Sequence, residues 1–285
     1  MTTAKYIIFF ILMVSLPLCY AGDTLSVTFL DVGQGDSCVV RTPGNKTVLI
    51  DAGDLASGWN VLRYLNNAGI RKLDALVITH PHADHAGGVF FILRQMDVAA
   101  VYDNGCDVDA IDDDFYRSYT RLVRRYVGYK PLAQGRVFAI GGVRFDVLWP
   151  PSGDEGCANP GSIVVRLKWG KFACLCMADA DVTVERAIME KYKRLSSDVL
   201  KVGHHGGKDT CSADFLKRVE PEIAVMSVNE SARPQYPDIQ TLARLKASGC
   251  RLLRTDTDGI ITIEADVEGA MHIKTKKVSI YAEKI

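Results

Sequence analysis

Thr79-His80-Pro81-His82-Ala83-Asp84-His85 places four metal-ligand side chains within six residues. The apolar run before it, Leu73-Asp74-Ala75-Leu76-Val77-Ile78, is short and rich in branched residues, so it reads as a buried strand. Gly87-Gly88 after it allows a tight turn into an apolar helix, Val89 to Met96. Imidazole and carboxylate together suit zinc, manganese or iron. His80 and His82 can grip one ion, and Asp84 and His85 a second. The chain has only six histidines and three fall in this heptad, which argues against a polar loop with chance histidines.

The 285 residues are 48% hydrophobic and 24% charged, enough for one large core or two modest ones. Lys+Arg and Asp+Glu both number 34, so net charge gives no sign of a polyanion partner. The N-terminus differs in character. Lys5 precedes the apolar run Tyr6 to Val14, and the segment exits through Cys19-Tyr20-Ala21-Gly22. That order reads as a signal peptide over residues 1–21, cut after Ala21. An uncleaved anchor is the alternative, but Ser15 and Pro17 interrupt a stretch already short for a spanning helix. Cleavage removes Lys5 and no acid, leaving 33 basic against 34 acidic residues. The expected mature domain is 22–285, secreted or periplasmic, with no membrane domain after signal removal. Seven of the eight cysteines would remain. Cys106 and Cys157 lie in polar surroundings and are the pair to test for a disulfide, which an exported protein permits. Cys38, Cys174 and Cys176 sit in apolar runs and are expected to pack as small hydrophobes.

Three strands open the mature chain: Leu25 to Val32, Ser37 to Arg41 and Lys46 to Ile50. Asn60 to Ala68 has helical spacing. After the heptad come a strand over Val98 to Tyr102, an acidic loop over Asp103 to Asp114, and a helix over Phe115 to Tyr126. That helix carries Arg117, Arg121, Arg124 and Arg125, a solvated face by default and a phosphate strip as the sharper reading. Strand-like runs then cover Arg136–Ile140, Val143–Leu148, Ile163–Trp169 and Phe172–Met177. Asp181 to Lys193 reads as helix. Asp198 to Val202 is a strand that ends in Gly203-His204-His205-Gly206-Gly207. Further helix and strand signals alternate to Ala265, and a last apolar run spans Val278 to Tyr281. Strands and alternating units in two sets suit an α/β fold of two stacked sheets with helices on both outer faces.

The His-x-His-x-Asp-His pattern resembles the metallo-β-lactamase superfamily signature. The likeness extends further. Phe29-Leu30-Asp31-Val32-Gly33-Gln34-Gly35-Asp36-Ser37, Leu49-Ile50-Asp51-Ala52-Gly53, the heptad and Leu200-Lys201-Val202-Gly203-His204-His205-Gly206 appear in order. Together with Asn159-Pro160-Gly161-Ser162 and Arg254-Thr255-Asp256-Thr257-Asp258-Gly259 they resemble the metallo-β-lactamase domain of ComEC-type DNA-uptake proteins. The resemblance covers residues 25 to 264. It implies an αββα four-layer sandwich, one or two divalent ions (zinc or manganese) and DNA or another phosphodiester as substrate. By position it assigns His80, His82, Asp84, His85 and Asp179 to metal, with Asp179 as the bridge and Asp181 as runner-up. The pair His204 and His205 falls near the site, each a candidate for metal or catalysis, and Asp84 doubles as the group that orients or deprotonates water. Asp31 and Asp51 would orient the metal-binding histidines. Gln34 and Asp36 lie at a strand end near the site, and Asn159 and Ser162 would hold substrate or support their loop.

Three departures bear on function. No histidine lies between His85 and His204, where related two-metal enzymes often have one, so the first ion is expected to be poorly held or absent. The family's Tyr-Gly-His-Pro reads Pro234-Gln235-Tyr236-Pro237, with Tyr236 where that histidine would stand. The transmembrane channel domains that accompany the module in DNA-uptake proteins do not appear in the sequence. The expectation is an exported metal-dependent hydrolase, a phosphodiesterase or DNase. A hydrolase of a small ester, lactone or phosphodiester, and a non-catalytic binding relative, are the alternatives.

Overall fold

The computed structural model of the chain describes residues 24–106, 113–152, 159–231, 233 and 235–277. The expected signal peptide, Cys157, the middle of the acidic loop, Pro234 and the run from Val278 lie outside those residues. The first half runs β1 (Leu25–Phe29), β2 (Cys38–Arg41), β3 (Thr47–Ile50), α1 (Gly58–Asn67), β4 (Lys72–Leu73) and β5 (Ala75–Val77). The heptad turns into α2 (Ala83–Ala86), followed by α3 (Val89–Gln95), β6 (Asp97–Val98), β7 (Val101–Asp103), α4 (Asp114–Val123) and β8 (Tyr129–Pro131). The second half holds β9 (Val137–Ile140), β10 (Val143–Trp149), β11 (Val164–Trp169), β12 (Phe172–Cys176), α5 (Val182–Lys191), β13 (Val199–Lys201) and α6 (Ala213–Val219). It closes with β14 (Ile223–Met226), α7 (Ile239–Ser248), β15 (Arg251–Arg254), α8 (Thr255–Asp258), β16 (Ile260–Ala265) and β17 (Met271–Lys276).

Two large sheets form. One has the order β17-β16-β1-β2-β3-β5-β7-β8, the other β15-β14-β13-β12-β11-β10-β9. Alternation along each strand sorts its side chains between two faces. Val40, Val48, Ile50 and Val77 of the first sheet meet Phe145, Val165, Cys174, Val199 and Val225 of the second in a shared inner core. The opposite faces are covered by helices. Leu49 and Leu76 pack with Val61 and Leu65 of α1, Ile92 of α3 and Tyr119 of α4. Leu175, Leu200 and Ala224 pack with Ile188 of α5, Phe215 of α6 and Leu245 of α7. This is the four-layer αββα sandwich. Cys38, Cys174 and Cys176 are buried and free.

Topology gathers the site. β3, β5 and β7 run parallel in the first sheet, and β12, β13 and β14 run parallel in the second. Asp51 follows β3, the heptad follows β5, Asp179 follows β12 and His204-His205 follow β13. Ligand positions thus collect at strand C-terminal ends, where backbone turns away from the sheet and leaves side chains free to converge. Ile163 N–H donates to the Thr79 carbonyl at 2.8 Å and ties the two sheets together beside the heptad.

Three details differ from expectation. Val98 to Tyr102 is two strands rather than one: β6 pairs with β4, and after Ala99 N–H bonds to the Leu73 carbonyl the chain moves over to pair β7 with β5. β8 and α8 carry too few apolar residues to show a period. In the arginine-rich segment Arg124 is taken up internally, donating to the Cys106 carbonyl, while Arg117 pairs with Asp114. Cys106 is itself disulfide-bonded. Among the described residues no helix is long and apolar enough to cross a membrane.

Candidate metal centre

Ligand-type side chains from both sheets meet in two groups that share Asp179. His80, His82 and Asp179 form one, and Asp84, His85, Asp179 and His205 the other, with the ligand atoms of each group within 4.8 Å of one another. His85 Nε2 lies 3.1 Å from Asp179 Oδ1, His205 Nε2 3.6 Å from the same oxygen, and His80 Nε2 3.8 Å from Asp179 Oδ2. Asp84 Oδ2 completes the second group, 3.3 Å from His205 Nε2.

The donor set fits divalent ions. Nε2 of His80, His85 and His205 and Oδ1 of Asp179 are buried and have no hydrogen-bond partner. Unpartnered buried polar atoms are costly, and here four converge. Two of the histidines are also oriented for ligation from behind. His85 Nδ1 lies 2.8 Å from Asp51 Oδ2, and His205 Nδ1 3.0 Å from the Ser227 carbonyl. Both partners only accept, so each Nδ1 carries the proton and each Nε2 presents its lone pair to the cluster. Asp51 is fixed in turn by Thr79, whose N–H and hydroxyl each donate to it at 2.7 Å.

Backbone strain concentrates at the same place. Asp51, Ala178, His204 and His205 all have φ between 43° and 57°, a region that non-glycine residues avoid. Ala178 stands where the resembled family has glycine, and its φ of 49° gives the reason for glycine there. The positive φ of both histidines sends the two side chains to different neighbours. His205 joins the ligand group. His204 stands in the wall of the cleft, its Nε2 2.9 Å from Asn159 Nδ2 and 3.1 Å from the Tyr236 hydroxyl.

The charges are strongly interdependent. For the ion-free protein, burial lowers the pKa of His80 well below the ordinary histidine value, the neighbouring His85 adding to it, and burial also lowers that of His82. Burial works against charged His85, but Asp179 and Asp51 outweigh it and hold its pKa well above the ordinary value. His205 is raised too, burial being outweighed by Asp179, Asp84 and Asp36. Burial would raise the Asp84 and Asp179 carboxyls; the adjacent imidazoles of His85 and His205 hold both below the usual range.

The centre opens onto a cleft of about 820 Å³ lined by His82, Asp84, Asp179 and His205, with His204 in its wall. Gln34, Asp31, Asn159 and Tyr236 also line it. Other expected residues are placed differently. Asp31 orients no histidine; its Oδ1 accepts from Gly33 N–H at 3.2 Å and closes that turn. Asp181 caps α5, accepting from Thr183 and Val184 N–H, and so belongs to the helix rather than the cluster. Ser162 is fully buried and does not line the cleft. Asp36 lies beneath the floor, 2.7 Å from Lys201 Nζ. Thr79, Ser227, Lys201, Asn229 and Arg233 also surround the site, with no role that residue type alone signals.

Comparison with known proteins agrees with this architecture. The profile of the metallo-beta-lactamase superfamily matches residues 30–228. Competence protein ComA of Neisseria gonorrhoeae is 33% identical over 258 residues, covering 90% of this chain and 34% of its own length. Endoribonuclease YSH1 of Mycosarcoma maydis is 33% identical over 79 residues, 26% of this chain and 9% of that protein. Among solved structures, Igni18, a metallo hydrolase of Ignicoccus hospitalis, aligns with a TM-score of 0.53 at 16% identity, covering 89% of this chain and 100% of that one. The chain spans about a third of the length of the curated relatives that match most of it.

Proposed function

The chain belongs to the metallo-β-lactamase superfamily, and from that premise we propose that this metal-dependent hydrolase cleaves phosphodiesters, DNA first among them. The observation that carries the reading is the set of unpartnered ligand atoms on His80, His85, His205 and Asp179, which lies against the floor of a wide cleft. Divalent ions, zinc or manganese, would be held by His80, His82 and Asp179 and by Asp84, His85, His205 and Asp179, and would supply Lewis-acid charge and acidify water.

The chain's own groups have separable tasks. Asp84 is the one carboxylate of the cluster with substantial exposure, its side chain 35% accessible. Held below the usual carboxylate range, it is ionised at neutral pH and can orient water at the cleft floor. Asp179, nearly fully buried, is out of reach of a large substrate and serves the ligand set alone. His204, steadied by Asn159 and Tyr236, faces the cleft and can contact a phosphoryl oxygen or hand a proton to the leaving oxygen. Burial raises the Tyr236 phenol, so it acts as a neutral hydrogen-bond group.

The cleft supports an extended polar substrate over a small apolar ester. Its walls carry Gln34, Asn60, Asn229 and Arg233, whereas small-molecule pockets are mostly apolar. Trp59, 56% exposed and next in sequence to the cleft residue Asn60, offers an unpaired base a stacking surface. The names of the competence protein and the endoribonuclease point the same way. We further place the reaction outside the cytoplasm. The signal-like residues 1–21 and the disulfide-bonded Cys106 support that placement.

A substrate panel tests the proposal. Metal-loaded protein is offered single- and double-stranded DNA, RNA, bis(p-nitrophenyl) phosphate and p-nitrophenyl acetate. Metal-dependent cleavage of DNA, lost in His82→Ala, is expected. Turnover of the ester alone would move the function to a small-molecule hydrolase.

A further inference from the structure

We propose that Lys201 is a positioning residue for the metal centre: through Asp36 it sets the spacing between Asp84 and His205 across the two sheets. The proposal rests on the reading that these residues hold an ion. Lys201 is the only lysine among the fully buried described residues, 3% exposed. It ends β13 in the second sheet, four residues before His205. Its ammonium donates to Asp36 Oδ2 at 2.7 Å and to the Val202 carbonyl at 3.0 Å. Asp36 belongs to the other sheet, in the turn between β1 and β2. The bond therefore crosses the sandwich directly beneath the site.

Asp36 touches both ligands. Its backbone N–H donates to the Asp84 carbonyl at 3.2 Å, and its Oδ1 lies 3.6 Å from His205 Nδ1. Its own carbonyl accepts from Gly53 N–H at 2.8 Å, two residues after Asp51. The turn is packed against Asp84 so closely that a Cβ on Gly35 would lie 2.3 Å from the Asp84 carbonyl oxygen. Asp84 and His205 come from different sheets and have ligand atoms 3.3 Å apart. An ion shared between them needs that gap held, because a ligand set displaced by part of an ångström loses coordination geometry. Lys201 also opposes the negative charge gathered in this region by Asp36, Asp51, Asp84 and Asp179. A buried pair made for stability alone could be replaced by apolar side chains of similar volume; this one grips both sides of a ligand group.

The test measures ion binding, independently of catalysis. Ion-stripped full-length protein, Lys201→Met, Asp36→Asn and the double variant are titrated with zinc against a chromophoric chelator. The visible absorption of the cobalt-loaded forms is recorded, with thermal melts of the ion-free forms alongside. Lys201→Met should weaken one of the two ions about 10- to 100-fold, leave the other unchanged, and shift the cobalt spectrum. The double variant should be no worse than the worse single one, since both act through one link. If Lys201→Met does not fold, Asp36→Asn, which keeps the side-chain shape, carries the same test. Wild-type affinities and spectrum in a folded variant would overturn the proposal, as would parallel weakening of both ions in step with a lowered melt. Wild-type protein that takes up no ion would overturn the metal-site reading itself.

Discussion

Replacing Asp51 separates two things this carboxylate does. Its oxygens accept three hydrogen bonds: from Thr79 N–H and the Thr79 hydroxyl, both at 2.7 Å, and from His85 Nδ1 at 2.8 Å. Asp51→Ala removes both accepting oxygens and with them all three bonds. The hydroxyl can rotate, but Thr79 N–H and His85 Nδ1–H cannot and are left buried without partners. At roughly 1–3 kcal/mol each, the cost is about 2–6 kcal/mol of stability. Asp51→Asn keeps the volume and one accepting oxygen. That oxygen must face Thr79 N–H, a backbone donor that cannot turn, so the amide nitrogen faces His85 Nδ1. A donor there forces Nδ1 to accept, and the imidazole proton moves to Nε2, the atom that belongs to the ligand cluster. The variant should fold and melt closer to wild type than Asp51→Ala does. It should bind one ion about 10- to 100-fold more weakly, or about 1.4–2.7 kcal/mol. Chelator competition reads the affinity, and a two-bond ¹H–¹⁵N spectrum of the imidazoles reads the tautomer. Asp51→Asn that keeps the wild-type tautomer and both affinities would refute the reasoning.

The paired histidines should separate in the same assays. His205→Ala is expected to lose an ion and activity together, whereas His204→Ala should keep both ions and lose cleavage about 10²-fold or more; mass-spectrometric ion counts beside rates decide it, and the opposite pattern would reverse the assignment. Ion uptake should release protons near neutral pH. His85 and His205 have raised pKa values without ions, so a proton competes with the ion for each imidazole, and apparent affinity rises as pH climbs through and beyond the ordinary histidine value. Calorimetry in buffers of different ionisation enthalpy measures that release, and its absence at pH 7 would contradict the assignment. Gly35→Ala should destabilise the fold by about 1–3 kcal/mol, because its φ of 145° and the 2.3 Å approach to the Asp84 carbonyl leave no room for a Cβ; an unchanged melt would show that the turn can relax.

The heptad was legible because its residue types are rare and its context, a branched apolar strand before and a glycine pair after, is local. The sandwich was legible for a similar reason. Continuous apolar runs such as Val48 to Ile50 and Phe172 to Met177 mark strands buried on both faces. What stayed hidden depends on backbone conformation or distant contact. Whether His204 or His205 turns inward follows from two consecutive left-handed residues, which residue type does not announce. Lys201 reads as a strand-end lysine until Asp36, 165 positions earlier, closes on it. Asp31 and Asp51 each follow a strand and look equivalent, yet one closes a turn and the other holds His85. The short strands β6 to β8 are set by neighbours in the sheet, since two or three residues carry no period.

The most direct test of the account joins ion count to chemistry. Ion-stripped protein is titrated with manganese, and separately with zinc, while ions per chain and cleavage of a labelled single-stranded oligonucleotide are followed in the same samples. The account predicts no cleavage without ions, a rate that climbs as the two sites sharing Asp179 fill, and none at any loading in His82→Ala. Cleavage that persists after complete ion removal, or full loading with no cleavage of any phosphodiester, would contradict it.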